Sequence, residues 1–172
     1  LFPLPLTVGM LMEGFETADF SAHGWQMTGQ SEWFIQDDEV YNGDYAARSG
    51  NIGNNQSSEL SVEYNMLHQG SISFSAKASS EQGNSGTIYD YLTFYIDNEQ
   101  MILIGGESDW DEYSFAVTPG EHTFRWVYEK DAAGSSGDDC AWIDNIIFPP
   151  GSIPPLNIDF GDLNQDGNIN VL

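Results

Sequence analysis

Hydrophobic and polar residues alternate with a period of two in several short stretches of the chain. In residues 71–77, which read SISFSAK, the apolar residues Ile72, Phe74 and Ala76 point one way and the serines point the other way. This alternation is typical of an antiparallel strand with one face on a core and one face in solvent, because successive side chains leave opposite faces of a strand. Helical periodicity is hard to find, so the pattern predicts strands.

The same analysis predicts about ten strands, separated by Gly, Asn, Asp and Ser residues and by a proline-containing turn at 118–121. The candidate strands are 11–15, 25–28, 32–35, 45–48, 59–62, 71–77, 91–96, 101–104, 112–117, 123–129 and 141–148. Many short strands with regularly spaced turns favour an all-β fold: a two-sheet antiparallel β-sandwich of the jelly-roll, concanavalin-like kind. Immunoglobulin topology fits less well, because the strands are too many and the Cys…Trp…Cys spacing is missing.

The charge balance is strongly acidic. Of 172 residues, 27 are Asp or Glu and four are Lys or Arg, so the formal net charge is −23. Such a surface repels phosphate, and we expect neither a nucleic-acid partner nor insertion into a membrane. The acidic residues either form a solvated surface or cluster around divalent cations, and the two interpretations are compatible.

No recognised catalytic pattern is present. The sequence has no Gly-x-Ser-x-Gly, His-Glu-x-x-His or phosphate-binding loop, and its acidic residues are too numerous to single out a catalytic pair. Cys140 is the only cysteine, and His23, His68 and His122 are scattered, which argues against a disulfide or a zinc site. We therefore predict a protein that is not an enzyme.

The ends of the chain differ from its middle. Residues 1–12 are apolar but lack a basic segment, so they do not form an intact signal peptide and instead predict a linker running into the first strand. Residues 149–155 read PPGSIPP, a stiff proline-rich sequence. We predict a β-sandwich module over 1–148, a linker over 149–159 and a separate motif over 160–172.

That motif is the beginning of a calcium-binding loop. Residues 161–170 read GDLNQDGNIN, which follows the spacing of an EF-hand loop with a glycine at its sixth position. Position 12, which would supply the last acidic ligand, falls at residue 173. The predicted ligands are Asp162, Asn164, Asp166, Asn168 and Asn170.

The motif resembles the start of the first repeat of a type I dockerin. The resemblance covers about residues 160–172 only, and without position 12 we expect weak calcium binding. It implies a secreted parent protein that continues beyond residue 172, and a possible cohesin-like partner bound through the complete dockerin.

Residues 13–148 resemble the jelly-roll modules of the MAM and cleaved-adhesin group. The resemblance is carried by Trp25, Trp33 and four stretches: 13–16 (EGFE), 41–50 (YNGDYAARSG), 120–131 (GEHTFRWVYEKD) and 137–146 (GDDCAWIDNI). The paired cysteines of animal MAM domains are missing. Modules of this group are usually accessory parts of secreted bacterial enzymes or adhesins.

The resemblance also implies a structural calcium ion near the first strand and the penultimate loops. Carried over by position, the ligands are Glu13 or Glu16, then Asp44, then Asp139 or Asp144. The chemistry agrees independently, because a carboxylate inside an apolar strand is costly to bury unpaired and only four basic residues are present. The alternative is that Glu13 and Asp144 lie at exposed strand ends.

A candidate ligand-binding surface lies opposite the apolar side of residues 91–96. Tyr91, Thr93 and Tyr95 would form a polar-aromatic stripe, with Tyr89 and Trp110 in adjoining loops. Aromatic rings beside carboxylates and amides bind sugars, since the ring stacks on the apolar face of the sugar and the polar groups bond its hydroxyls. Aromatic residues also favour strands for their own sake, and the alternative is that the stripe forms a second layer of core.

Two functions follow from these observations. The first is a calcium-stabilised module that binds a polysaccharide or cell-surface glycan and so targets a secreted parent enzyme. The second is a protein-interaction, adhesion or spacer module that binds no sugar. An accessible aromatic platform favours the first function, whereas buried aromatic residues favour the second.

Overall fold

The computed structural model describes residues 11–154, which form twelve β-strands in two antiparallel sheets. In chain order the strands are β1 (Met12–Glu13), β2 (Gln26–Gly29), β3 (Phe34–Gln36), β4 (Ala46–Arg48), β5 (Ser57–Met66), β6 (Gly70–Ser79), β7 (Tyr91–Ile96), β8 (Glu99–Gly105), β9 (Asp111–Val117), β10 (Gly120–Glu129), β11 (Cys140–Ile147) and β12 (Ser152–Ile153). The predicted fold, an all-β two-sheet sandwich, is confirmed. No helix within 11–154 is long and apolar enough to cross a membrane.

Each sheet has six strands. The first sheet has the order β3-β4-β11-β6-β9, and β1 shares the edge of β11 with β4. The second sheet has the order β12-β5-β10-β7-β8, and β2 shares the edge of β5 with β12. All pairings are antiparallel. This connectivity places strands that are distant in sequence next to each other, so residues from several segments of the chain meet on one face of a sheet.

The core lies between the sheets and is rich in aromatic residues. Phe74 of β6, Phe94 of β7 and Trp126 of β10 meet at its centre, with ring centroids 4.7 to 5.4 Å apart. Ile72, Phe74 and Ala76 of β6 are buried as predicted, and so are Leu92, Phe94 and Ile96 on the apolar side of β7. The alternation in the sequence therefore identified the core faces correctly.

The serine side of β6 is less solvated than predicted. Ser75 lies on the outward face but is fully buried. It is paired with Glu112 on one side and Asp144 on the other. Tyr41 spans both neighbours, because its hydroxyl donates to Glu112 at 2.7 Å and its backbone N–H donates to Asp144 at 3.1 Å. The loop that carries Tyr41 thus covers this part of the first sheet.

The end of the sandwich lies beyond the predicted boundary at residue 148. Ser152 and Ile153 form β12, which pairs with Met66 and Asn65 at the end of β5. The first residues of the proposed linker therefore belong to the second sheet, because a short strand can close the unpaired edge of β5. Residues 1–10 and the segment 155–172 lie outside the described residues, and so do the predicted tail ligands Asp162, Asn164, Asp166, Asn168 and Asn170.

Candidate functional site

The outward face of the second sheet carries the predicted tyrosine stripe. The odd residues of β7, Tyr91, Thr93 and Tyr95, point away from the core, because Leu92 and Phe94 point into it. The two tyrosines are partly exposed, whereas Thr93 is fully buried. The stripe thus consists of two partly exposed tyrosine rings with a buried threonine between them.

The register of the sheet sets polar groups beside these rings. Arg125 of β10 is paired with Tyr95, and Glu129 is paired with Tyr91. Paired residues in an antiparallel ladder share a face, so one guanidinium and one carboxylate flank the tyrosines. Burial raises the pKa of Tyr91, with a further contribution from the charge of Glu129, and its hydroxyl therefore stays protonated near neutral pH.

Arg125 is held in place by two contacts. Its guanidinium carbon lies 4.9 Å from the centre of the Tyr95 ring, and its Nη1 lies 3.7 Å from Oε2 of Glu59 on β5. Stacking on a ring and pairing with a carboxylate orient the planar guanidinium. We call Glu59, Tyr91, Tyr95, Arg125 and Glu129 the tyrosine face. Arg125 and Glu59 were not predicted, because only the register of β5, β10 and β7 brings them to the stripe.

The two predicted loop aromatics go to different places. Tyr89 lies two residues before β7, is 40% exposed and packs against Gly83. Trp110 lies at the first sheet: its Nε1 donates to Glu39 at 2.9 Å, and its ring lies 5.8 Å from that of Tyr41. The structure therefore does not join Trp110 to the tyrosines of β7, because loop 106–110 crosses from the second sheet to the first.

A second polar-aromatic surface covers the outward face of the first sheet. Lys77, Trp142, Arg48 and Phe34 follow one another across four paired strands. Lys77 Nζ lies 5.6 Å from the Trp142 ring centre, and the Arg48 guanidinium lies 5.2 Å from that of Phe34. The groove beside them has a volume of about 360 Å³. Trp142 is only 4% exposed, so its ring is occupied by its neighbours rather than open to a ligand.

Asp144 and Glu16 form the centre of the predicted calcium site. Asp144 is fully buried, and its carboxylate accepts backbone N–H groups of Tyr41, Asn42 and Asn145 at 3.1, 2.9 and 2.6 Å. Burial raises the pKa of Asp144 to about 6; the three N–H groups oppose this shift, and the charge of Glu16 adds to it. An ionised Asp144 is therefore an electrostatic cost in this position.

Glu16 binds the loop that carries Asp44. Its carboxylate accepts the backbone N–H groups of Asp44 and Tyr45 at 3.1 and 3.2 Å. Gly43, which precedes Asp44, has a φ of +84° and packs directly on the Glu16 carboxylate. A side chain at this position would therefore overlap the carboxylate. The structure thus brings Glu16, Asp44 and Asp144 to one loop, but their carboxylate oxygens do not all lie within 4.8 Å of one another.

The alternative ligands, Glu13 and Asp139, bond to other partners. Glu13 is buried and accepts the backbone N–H of Phe15 at 2.7 Å and the Trp25 Nε1–H at 3.3 Å, and its Oε2 lies 3.5 Å from His23 Nε2. Asp139 forms an ion pair with Lys130. Glu16 and Asp144, in contrast, both accept backbone N–H groups of the loop over residues 41–45.

Comparison with known proteins gives the fold context. No family model matches the sequence, and no curated protein matches it. Among solved structures, the chain is similar to the secreted serine protease VesC from Vibrio cholerae, with 18% identity and a TM-score of 0.59 over 81% of this chain. The chain spans only 28% of the length of that protease.

Two further similarities are to isolated modules. A cleaved adhesin domain of Lys-gingipain from Porphyromonas gingivalis is 13% identical, with a TM-score of 0.58 over 85% of this chain and 98% of that one. The CBM22-1 xylan-binding domain from Paenibacillus barcinonensis Xyn10C is 12% identical, with a TM-score of 0.54 over 83% and 95% of the two chains. At these identities the comparisons establish architecture alone: the chain has the two-sheet β-sandwich fold that cleaved adhesin and carbohydrate-binding modules share.

Proposed function

We propose that the chain is a non-catalytic, carbohydrate-binding module of a secreted multidomain protein. The observation that carries this proposal is the tyrosine face, where Tyr91 and Tyr95 lie in line along one strand with Arg125 and Glu129 beside them. Partly exposed rings supply an apolar platform for a sugar, and the flanking charged groups bond its hydroxyls. A neutral polysaccharide is the favoured ligand, because a chain of net charge −23 repels an acidic one.

We further propose that calcium stabilises this module through Glu16, Asp44 and Asp144. Burial raises the pKa of the fully buried Asp144, and the charge of Glu16 adds to this rise, so the two carboxylates repel each other. The four basic residues are engaged elsewhere: Arg48, Lys77 and Arg125 lie over aromatic rings, and Lys130 pairs with Asp139. Carboxylate and backbone oxygens are the ligands that calcium prefers.

A further part of this proposal concerns the larger protein to which the module belongs, and residues outside 11–154. We propose that the module anchors a secreted enzyme on its polysaccharide and that the tail over 160–172 begins a dockerin-like repeat with a cohesin-like partner. The support is the calcium-loop pattern of the sequence alone.

A protein-interaction or adhesion role is the second candidate. The groove of about 360 Å³ on the first sheet favours it, because this groove combines the aromatic rings of Phe34 and Trp142 with Arg48 and three carboxylates. Phe34 is 37% exposed there and offers an apolar contact for a protein partner.

A polysaccharide-binding screen of the whole chain in millimolar calcium tests the proposal. We expect binding to one neutral polysaccharide, weakened about tenfold or more by Tyr91→Ala or Tyr95→Ala, since loss of a stacked ring removes on the order of 1.4 kcal/mol. Trp110→Ala is the matched control, because its ring packs on Tyr41 at the first sheet. Binding that is lost with Trp110→Ala but kept with the tyrosine variants would move the site to the first sheet. If folded protein binds no glycan, the adhesion role remains.

A further inference from the structure

Three carboxylates that the sequence analysis did not single out meet at one end of the sandwich. Glu81 follows β6, Asp90 directly precedes β7 and Asp131 follows β10. One carboxylate oxygen from each lies within 4.8 Å of the other two. Two oxygens on opposite sides of a calcium ion are about 5 Å apart, because calcium–oxygen distances are about 2.3–2.6 Å. One ion can therefore contact all three residues.

Two carboxylate oxygens of this cluster are buried and accept no hydrogen bond from the described part of the chain. Asp90 is fully buried; its Oδ1 accepts the backbone N–H of Asp131 at 2.9 Å. Its Oδ2, and Oε2 of Glu81, are also buried and have no hydrogen-bond donor within residues 11–154. A buried carboxylate oxygen is costly without a hydrogen bond, an ion pair or a metal. Asp90, the fully buried member of the cluster, thus has one carboxylate oxygen that accepts no hydrogen bond from any donor in residues 11–154.

Lys130 forms a long ion pair with Asp90 and therefore neutralises only part of the charge of this cluster. Its Nζ lies 3.6 Å from Asp90 Oδ2, beyond hydrogen-bond distance, and its donors instead reach Asp139 and the hydroxyl of Ser135 at 2.7 Å. Asp90 and Asp139 share this single ammonium group, whereas Glu81 and Asp131 form no ion pair with a basic side chain within residues 11–154. The remaining negative charge favours a divalent cation beside the lysine.

The surrounding loops hold the carboxylates in position. Gly134 has a φ of +101° and packs directly on the Glu81 carboxylate, where a side chain would overlap it. Asp131 Oδ1 accepts the backbone N–H of Ala133 at 2.8 Å, and the Asp90 carbonyl accepts the hydroxyl of Ser80 at 2.7 Å. The loop after β10 therefore closes over the ends of β6 and β7.

We propose that Glu81, Asp90 and Asp131 bind a calcium ion that ties these loops together. This site differs in every residue from the proposed Glu16, Asp44 and Asp144 site and from the loop in the tail. It adjoins the tyrosine face, since Asp90 directly precedes Tyr91. Three carboxylates on three loops suit calcium better than magnesium, which demands a smaller, near-octahedral arrangement.

Calcium titration of the full chain, followed by two-dimensional amide NMR, tests the site without any substitution. We expect saturable shifts at the amides of Asp90, Asp131, Ala133 and Gly134. If calcium leaves these amides unmoved up to millimolar concentration while others respond, the proposal is overturned.

Calorimetry with calcium alone then assigns the ligands. The reference protein carries Asp144→Asn and Asp162→Asn, which removes a ligand from each of the other two proposed sites. We expect it to bind one calcium ion, and we expect Asp90→Asn or Glu81→Gln in that background to lower the affinity at least tenfold. Asp109→Asn, at an exposed carboxylate, is the matched control and should change nothing. Unchanged affinity in both cluster variants would overturn the proposal, and the glycan screen is independent of either result.

Discussion

Replacing Asp144 with asparagine tests whether a buried charge, rather than a hydrogen bond, dominates at the calcium site that we propose for Glu16, Asp44 and Asp144. Asp144 is fully buried beneath the loop that carries Tyr41 and Asn42. Asparagine has nearly the same shape and keeps one oxygen acceptor, but it has no charge. It therefore removes the electrostatic cost of the ionised carboxylate along with part of its hydrogen bonding.

The size and sign of the effect follow from the pKa of Asp144. The pKa rises from 3.8 to about 6 on folding, mainly through burial. This rise in pKa corresponds to about 3 kcal/mol in the free energy of unfolding, at 1.36 kcal/mol per pKa unit. The folded state has this extra stability while Asp144 is protonated. Because the folded-state pKa is raised, this contribution is fully present below pH 3.8 and is lost as the pH rises through about 6. Between pH 4.5 and 7.5 about 2 kcal/mol of it disappears.

The assay is urea unfolding of the wild type and Asp144→Asn at pH 4.5 and 7.5 in the presence of a chelator. We expect the stability advantage of the wild type over the variant to be about 2 kcal/mol smaller at pH 7.5. Millimolar calcium should raise the unfolding free energy of the wild type at pH 7.5, by about 2.7 kcal/mol at a concentration of one hundred times the dissociation constant. The unfolding free energy of the variant should stay largely unchanged. Asp37→Asn, at an exposed carboxylate, controls for the change in net charge.

Two results would refute this reasoning. An equal difference between wild type and Asp144→Asn at both pH values in chelator would mean that Asp144 does not titrate as a buried acid. A pH-dependent difference that calcium leaves untouched would keep the buried acid but remove calcium from this site.

Three further outcomes are expected. Phe94→Ala should destabilise the fold by about 3–5 kcal/mol, measured by urea unfolding, because Phe94 is fully buried between Phe74 and Trp126; a loss below about 1 kcal/mol would contradict this packing. Cys140 should resist thiol reagents at pH 8 until the protein unfolds, since burial raises its pKa to about 11; rapid labelling of native protein would show otherwise. Gly43→Ala should lower the melting temperature, because φ is +84° and the side chain would overlap Glu16, and an unchanged midpoint would contradict that contact.

The strands and their core faces were predictable because they depend on local pattern. Alternation in residues 71–77 and 91–96 marks which side chains face the core, and the structure confirms these faces. The burial of Ser75 was not predictable, because it depends on a loop about thirty residues away in sequence that covers the outward face. Local periodicity records the direction of a side chain but not what lies above it.

The candidate sites likewise contain some residues that were predicted from the sequence and some contacts that only the fold shows. The alternation in the sequence marked the tyrosines of β7, and the resemblance to jelly-roll modules predicted calcium ligands at Glu13 or Glu16, Asp44, and Asp139 or Asp144. The sequence could not show that Arg125 stacks on Tyr95 or that Trp110 lies at the first sheet, away from the tyrosines of β7.

By itself, the sequence determined an acidic, all-β sandwich with aromatic rings along one strand, because alternation, turn residues and composition are local properties. Only the tertiary structure decided which carboxylates meet. Glu81, Asp90 and Asp131 come from three loops separated by up to fifty residues. Antiparallel pairing of β7 with β10, and packing of their sheet on the sheet that contains β6, bring their oxygens within 4.8 Å. Proximity of this kind depends on topology and register, which the spacing of residues along the chain does not encode.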